Sequence, residues 1–214
     1  KDYYFNSWRG VHGKEAEAIQ QEITISESGL YELSALVSTY AKGDDGWDNG
    51  GAITDYTVFL TAGTYHSGVV PHSKDNFVEH KLLFLVEQDN TNIVIGAVGG
   101  DGADFNLYDP RGGGFFRADC FKLTKVSDAP NGRVRLALDE VKKTTLDKYG
   151  QEVINFSEYE NMVNNSLVTG DGTAVVDQLY AEMKKASLAQ KTKNADMTWA
   201  IENANFELGE TGWN

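Results

Sequence analysis

The segment Ala41–Ile53, with the sequence AKGDDGWDNGGAI, places one tryptophan among acidic and amide side chains. Trp47 is followed directly by Asp48 and Asn49, and glycines lie on both sides. An indole ring can stack on the apolar face of a sugar ring, while carboxylate and amide groups hydrogen-bond to the sugar hydroxyls. The segment therefore has the side chains that carbohydrate recognition requires.

A second segment of similar chemistry is Gly99–Gly114, in which Tyr108 and Arg111 stand among aspartates and asparagine. The candidate ligand-binding residues of the two segments are Trp47, Asp48, Asn49, Tyr108 and Arg111. Alternatives remain open, because a loop tryptophan can fold onto its own core and Asp-Gly-Asn clusters form turns by themselves. Arg111 can also pair with Asp109 or Asp104, which would be a surface ion pair of little value.

No catalytic or zinc motif accompanies these residues. The sequence contains no GxSxG, HExxH, GxxxxGK[ST] or GxGxxG pattern, and no activated nucleophile or acid-base pair can be named. Its four histidines lack HxH or HxxxH spacing, and we expect His66 and His80, which lie within strand runs, to be structural. We therefore expect a protein that is not an enzyme.

We also expect no cofactor, and calcium is the alternative for the aspartates Asp44, Asp45 and Asp48. Their spacing does not fit an EF-hand, since no glutamate closes the loop. The formal net charge of −13 would repel nucleic acid and anionic lipid, so both are poor partners. No run of 18 apolar residues is present, which argues against membrane insertion.

The first part of the chain has the composition of a β-domain. Residues 1–127 contain 16 of the 22 glycines and 17 of the 24 aromatic residues. Apolar residues alternate at Tyr31, Leu33, Ala35 and Val37, as expected when one face of a sheet is buried. Seven runs have strand character: Ile19–Ser26, Leu30–Tyr40, Thr54–Thr61, Tyr65–Val70, Phe77–Glu87, Asn92–Val98 and Phe115–Val126. The prediction is an antiparallel β-sandwich.

Consecutive antiparallel strands reverse direction, so alternate connections share an end of the sandwich. Three connections, after the second, fourth and sixth strand runs, are long and rich in Asp, Asn, Gly and His: Ala41–Ile53, Pro71–Asn76 and Gly99–Gly114. The others are short. We therefore expect the long connections to meet at one end, where sandwich folds generally place recognition.

Beyond residue 127 the apolar period changes to that of helices. A helix that begins near Gly132, with Pro130 just before it, fits Val134, Leu138, Val141 and Tyr149, and Ser157 with Glu160 predicts a capping box. The second helix should have one apolar face, formed by Tyr159, Met162, Val163 and Leu167; after Gly170-Asp171-Gly172 a third amphipathic helix contains Val176, Leu179, Tyr180 and Met183. The domain prediction is a sandwich at 1–127, a three-helix spacer at 128–202 and a further β-segment at 203–214.

Four stretches of the first part resemble the galactose-binding-like jelly-roll modules of secreted, multi-domain bacterial proteins that handle glycans. They are DYYFNSW at Asp2–Trp8, IQQEITI at Ile19–Ile25, SGLYELSA at Ser28–Ala35 and GFFRADCFKL at Gly114–Leu123. Cys120 stands where the family usually has asparagine. These motifs belong to the scaffold, so the resemblance is specific for the fold and weak for the ligand.

Such modules typically open with a strand of the pattern N-x-x-F-E-x-G-x-x-G-W, which here is found at Asn203–Trp213. Either a second module begins there, or residues 203–214 supply an edge strand to the first module, within one chain or between chains.

Together, the residues and the resemblance predict a non-catalytic carbohydrate-binding module of a larger secreted, surface or periplasmic bacterial protein, with weak affinity for glycans and with neighbouring domains in the same chain. The alternative is a structural or adhesion spacer without a sugar site, which positions a neighbouring catalytic domain.

Overall fold

The computed structural model describes residues 4–7, 17–41, 56–70, 73, 76–101, 114–149 and 155–189. Within these residues, eight strands come before three helices. The strands are β1 (Phe5–Asn6), β2 (Glu17–Ile25), β3 (Gly29–Ala41), β4 (Tyr56–Ala62), β5 (Tyr65–His66), β6 (Val78–Val86), β7 (Thr91–Asp101) and β8 (Gly114–Ser127). The helices are α1 (Ala129–Tyr149), α2 (Ser157–Asn164) and α3 (Thr173–Ala189).

The described strands form two four-stranded sheets, in the orders β1-β8-β3-β6 and β2-β7-β4-β5. They form an antiparallel sandwich, so the predicted fold class, a β-sandwich followed by three helices, is confirmed. Leu33, Ala35 and Val37 of β3 are buried as predicted, and so is Phe116 of β8; Ser34 and Ser38 of β3 are buried as well, so the other face of this strand is not open to water as the alternation had indicated. These apolar side chains point to one face of their strands and form the core.

Two strands differ from the sequence prediction. The run Tyr65–Val70 forms a strand only at Tyr65–His66. At Ser67 a side chain replaces a backbone acceptor of the β-ladder. The Ser67 hydroxyl accepts a hydrogen bond from the Leu60 N–H at 3.0 Å and donates one to the Gly68 carbonyl at 2.6 Å. Strand β1 was not predicted, and its two residues are paired with Ala118 and Arg117 of β8.

The chain divides into two compact units. One consists of Lys1–Ile25, Glu32–Leu83 and Asn92–Thr124, and the other of Ser26–Tyr31, Phe84–Thr91 and Lys125–Asn214. The second unit thus includes the helices together with short pieces of the strand region. The predicted domain boundary at residue 127 stays a prediction, as does the role of residues 203–214, which lie outside the described residues.

The helices begin at side-chain caps that differ in part from the prediction. The Asp128 carboxylate accepts the Asn131 N–H at 2.9 Å at the start of α1, and Asp171 accepts the Thr173 N–H at 3.0 Å before α3. The capping box at Ser157 is wrong, because Ser157 is already helical and the preceding Phe156 makes no side-chain capping bond. Instead, the Asn155 carboxamide accepts the Ser157 N–H at 3.0 Å.

Helix α1 contacts both α2 and α3. Val134, Leu138 and Val141 of α1 are buried, as are Leu179 and Met183 of α3, which agrees with the predicted apolar stripes. The stripe predicted for α2 is wrong at Leu167, which is 54% exposed. The reason is that α2 ends at Asn164 and Ser166 has a left-handed φ of 53°, so the chain leaves the helical path before Leu167.

Asn131 joins the start of α1 to the connection between α2 and α3. Asn131 is 1% exposed, and its side chain donates to Asp128 at 2.7 Å and accepts the Val168 N–H at 3.2 Å.

We predict that Asn131→Leu lowers the free energy of unfolding by about 2 kcal/mol, because the Val168 N–H loses its partner in a half-buried position. Urea denaturation measures the change, and Asn164→Leu on the exposed surface of α2 is the control, with an expected change below about 0.5 kcal/mol. Equal values for the two variants would contradict this role of Asn131.

Asp171 gives the helical unit an acid-sensitive capping bond. The Thr173 backbone N–H holds the pKa of the Asp171 carboxyl below its usual value of 3.8. A carboxyl whose pKa is lowered by folding stabilises the protein above its unfolded pKa, and this contribution is lost as the pH falls through the folded pKa. We therefore predict a shallower loss of stability below about pH 4 in Asp171→Asn, which can still cap the helix but does not titrate. Unfolding measured from pH 2 to pH 6 tests this, and identical acid limbs in the two proteins would contradict it.

Candidate functional site

The candidate site lies at the end of the sandwich where the long connections begin and end. Tyr56, the first residue of β4, is paired with Asp101, the last residue of β7. These two residues border the segments 42–55 and 102–113. On the other sheet, Tyr40 lies close to the start of segment 42–55, and Phe115 lies close to the end of segment 102–113. The rings of these two residues are stacked with centroids 4.4 Å apart. The start of each segment therefore lies beside the end of the other.

The connection before β6 reaches the same end. The Ser73 N–H donates to the Thr39 hydroxyl at 3.2 Å, and the Thr39 N–H donates to the Ser73 hydroxyl at 3.4 Å. Thr39 is adjacent to Tyr40 near the end of β3. The strands reverse at short connections between β2 and β3 and between β6 and β7, so their other ends share one side of the sandwich, as the parity argument predicts.

Ser7, which follows β1, is also held at this end. The Ser7 N–H donates to the Phe116 carbonyl at 3.0 Å, and the Phe116 N–H donates to the Ser7 hydroxyl at 2.9 Å. Ser7 is buried, so both bonds are shielded from water. They hold the two residues of β1 beside the first half of β8.

Arg117 of β8 lies among three aromatic rings near this end. Its guanidinium carbon is 4.9 Å from the centroid of Tyr40, 5.5 Å from that of Tyr4 and 5.7 Å from that of Phe115. One guanidinium nitrogen donates to the Tyr40 hydroxyl over a long 3.4 Å. Guanidinium groups over ring faces are attracted by the ring quadrupole, so Arg117 helps to fix the orientations of these rings.

One of these three rings, Tyr4, contacts a fourth ring, Phe77, and both are exposed. Tyr4 and Phe77 are in an edge-on contact with centroids 5.7 Å apart, and they are 45% and 36% exposed. Large aromatic side chains usually bury most of their surface, so an exposed pair marks a surface that is suited to a ligand. We call the side chains of Tyr4, Tyr40, Phe77, Phe115 and Arg117 the aromatic cluster.

The residues predicted as the site, Trp47, Asp48, Asn49, Tyr108 and Arg111, all lie outside the described residues, as do Asp44 and Asp45 of the calcium alternative. Their assignment stays a prediction. Within the described ranges, no group of three or more His, Cys, Asp or Glu side chains is arranged to hold a metal ion.

Sequence reasoning missed the aromatic cluster. It did not separate Tyr4 from Phe5, whereas in the structure the Phe5 ring packs on Phe116 with centroids 5.4 Å apart and Tyr4 is exposed. The alternation of side chains along a strand would have separated them, had the two-residue strand been recognised. Arg117 carried a signal as well, since it lies between Phe116 and Ala118, which are both buried.

The two strand histidines have structural partners. A ring nitrogen of His66 is 3.1 Å from the Ser67 carbonyl, and one of His80 is 2.9 Å from the Gly68 carbonyl. Both rings donate to backbone oxygens of the segment that follows β5. The prediction of hydrogen-bonded structural histidines is confirmed.

Comparison with known proteins gives a limited result. No protein-family model matches the chain, and no curated protein matches it. One similar solved structure is the C-terminal domain of EclA, described as a sugar-binding protein, with a TM-score of 0.33 and 12% sequence identity. The match covers 52% of this chain and 80% of that one. Likeness at this level does not identify a ligand for this chain. In the part of the chain that the structure describes, no helix is long and apolar enough to span a membrane.

Proposed function

We propose that this chain is a non-catalytic carbohydrate-binding module and that glycans bind at the end of the sandwich that carries the long connections. The observation that carries the proposal is the convergence of the borders of segments 42–55 and 102–113, through the Tyr56–Asp101 pair and the stacked rings of Tyr40 and Phe115. The borders of the two segments that contain the indole, phenol, carboxylate and amide groups thus lie next to each other, which supports a shared site.

Each candidate residue has a role that follows from its chemistry. Trp47 stacks on the apolar face of a sugar ring, and Tyr108 provides a second platform. Asp48 and Asn49 accept and donate hydrogen bonds to hydroxyl groups, and Arg111 donates to hydroxyl oxygens. The affinity is weak, because an open surface buries little area of a ligand.

Weak single sites are useful where avidity or a tethered neighbour raises the effective concentration. We therefore place the module in a larger bacterial protein that is secreted or at the cell surface, where it would hold neighbouring domains of the same chain close to a glycan. Exchange of residues 203–214 between modules is a further possibility for its assembly, and it is tested by comparing the oligomeric state of chains with and without these residues.

The direct test of function is binding of the chain to a glycan array, followed by titration calorimetry with the glycans that bind. The proposal predicts binding to a restricted set of structurally related glycans with dissociation constants above about 10 μM. A dissociation constant of this size corresponds to a binding free energy of roughly −7 kcal/mol. Absence of binding to every glycan would overturn the proposal and would favour the spacer function.

A further inference from the structure

We propose that Tyr4 and Phe77 form a second carbohydrate subsite beside the loop segments, and that the glycan which binds there is uncharged. The inference rests on the proposed function, since it names a further contact surface and the class of ligand. The subsite consists of described residues, and the charge beside it is that of the sequence of the flanking segments.

The two rings come from opposite edges of one sheet. In the order β1-β8-β3-β6, Tyr4 directly precedes edge strand β1, and Phe77 directly precedes edge strand β6. Their contact, with centroids 5.7 Å apart and planes at 64°, therefore bridges the outer side of the two middle strands. An edge-on pair of this kind presents two differently oriented ring surfaces to one ligand.

The layer beneath them is preorganised. Tyr40 of β3 and Phe115 of β8 are stacked within 7° of parallel, and Arg117 lies between these rings and Tyr4. Tyr40 is 9% exposed, so this layer is part of the packed protein, whereas Tyr4 and Phe77 remain open. Rings that are already fixed lose little conformational entropy when a ligand stacks on them.

A pyranose unit fits this surface better than an apolar protein partner does. The open area consists of two rings and is small compared with the roughly 800 Å² that each partner buries in a stable protein interface. Stacking of a sugar ring needs only one or two aromatic platforms, and the Tyr4 hydroxyl adds a polar group at the rim.

The charge of the neighbouring segments selects against anionic ligands. Segments 42–55 and 102–113, together with the bordering Asp101, contain seven aspartates against one lysine and one arginine. The borders of these segments lie at Tyr40, Tyr56, Asp101 and Phe115, so the excess of negative charge is attached beside the aromatic cluster. Arg117 is the cation of the aromatic cluster, but its guanidinium lies against the rings of Tyr4, Tyr40 and Phe115. The seven aspartates should therefore repel uronate and sulfate groups, and neutral glycans are the expected ligand class.

The test uses an array of hexasaccharides in three classes: neutral (cellohexaose, galactohexaose, mannohexaose), uronate-containing (hyaluronan) and sulfated (heparin). We expect binding to be confined to the neutral class. Tyr4→Ala and Phe77→Ala should each weaken binding by about threefold to tenfold, because each removes one stacking surface. Tyr4→Phe, which retains the ring, should stay within about twofold of the unaltered chain.

Val94→Ala is the matched control, since Val94 is an exposed apolar side chain of β7 outside the aromatic cluster, and it should bind as the unaltered chain does. Thermal unfolding of each variant separates a folding defect from a lost contact. In the unaltered chain, the ring resonances of Tyr4 and Phe77 should shift on titration with the neutral hexasaccharide that binds.

Three results would overturn the inference. Binding confined to hyaluronan or heparin would contradict the ligand class. Unshifted Tyr4 and Phe77 resonances, together with normal binding by Tyr4→Ala and Phe77→Ala, would show that the second subsite does not exist. If Trp47→Ala still abolished binding in that case, the proposed function would stand without the second subsite. Failure of the unaltered chain to bind any glycan would remove the proposed function and the subsite together.

Discussion

Replacement of Trp47 by alanine is expected to reduce glycan affinity at least tenfold. The indole provides the largest stacking surface in the two candidate segments, and loss of a stacked aromatic ring together with its buried area amounts to about 1.5 kcal/mol or more. Because the residue belongs to a connection between strands and not to a described strand, the fold should tolerate the change. Titration calorimetry with the best ligand from the glycan array measures the effect.

Two variants make this result specific. Trp47→Phe keeps a smaller platform and should lose only about threefold in affinity. Leu167→Ala truncates an exposed apolar side chain of the helical region and should leave affinity unchanged. If Trp47→Ala binds like the unaltered chain, the assigned site is wrong, and glycans, if they bind, do so elsewhere on the molecule.

Gly96→Ala is expected to destabilise the sandwich by about 3 kcal/mol. Gly96 is buried in β7, between β4, where it is paired with Thr61, and β2. A Cβ atom at this position would lie 2.0 Å from the Ile19 carbonyl oxygen and 2.8 Å from the Gln20 Cα. Both obstacles are backbone atoms of a paired strand, so β2 and β7 would have to move apart and weaken their ladder.

Gly68→Ala provides the matched control for this change. Gly68 is exposed, and a Cβ atom added there meets no atom within 4 Å. The expected change is within about 0.5 kcal/mol of zero, or slightly stabilising through the unfolded chain. Urea denaturation of both variants tests the close approach of β2 and β7. Equal free energies of unfolding for Gly96→Ala and Gly68→Ala would contradict it.

The sandwich was predictable because its strands are long and alternate clearly. Leu33, Ala35 and Val37 of β3 have the period of two that predicts a strand, and all three are buried. Strand reversal then places the long connections at one end, which the Tyr56–Asp101 pair and the Ser73–Thr39 bonds support. Local pattern and chain direction were sufficient for this level of the structure.

The features that were missed depend on partners distant in sequence. Strand β1 has two residues and exists because β8 pairs with it, so no periodicity reveals it. The contact of Tyr4 with Phe77 joins residues from opposite edges of a sheet, which only the strand order determines. At α2 the sequence pattern indicated Ser157 as the cap, whereas in the structure Ser157 is already helical and its N–H donates to the Asn155 side chain.

The measurement that tests the central claim most directly is amide chemical-shift mapping of the isotope-labelled chain during titration with the best glycan from the array. We predict that the perturbed amides include Tyr40, Tyr56, Asp101 and Phe115, at the borders of the two candidate segments. Gly63, in the turn between β4 and β5, and Asn92, near the start of β7, should be unaffected. Perturbations at Gly63 and Asn92, with none at the segment borders, would contradict the location of the site.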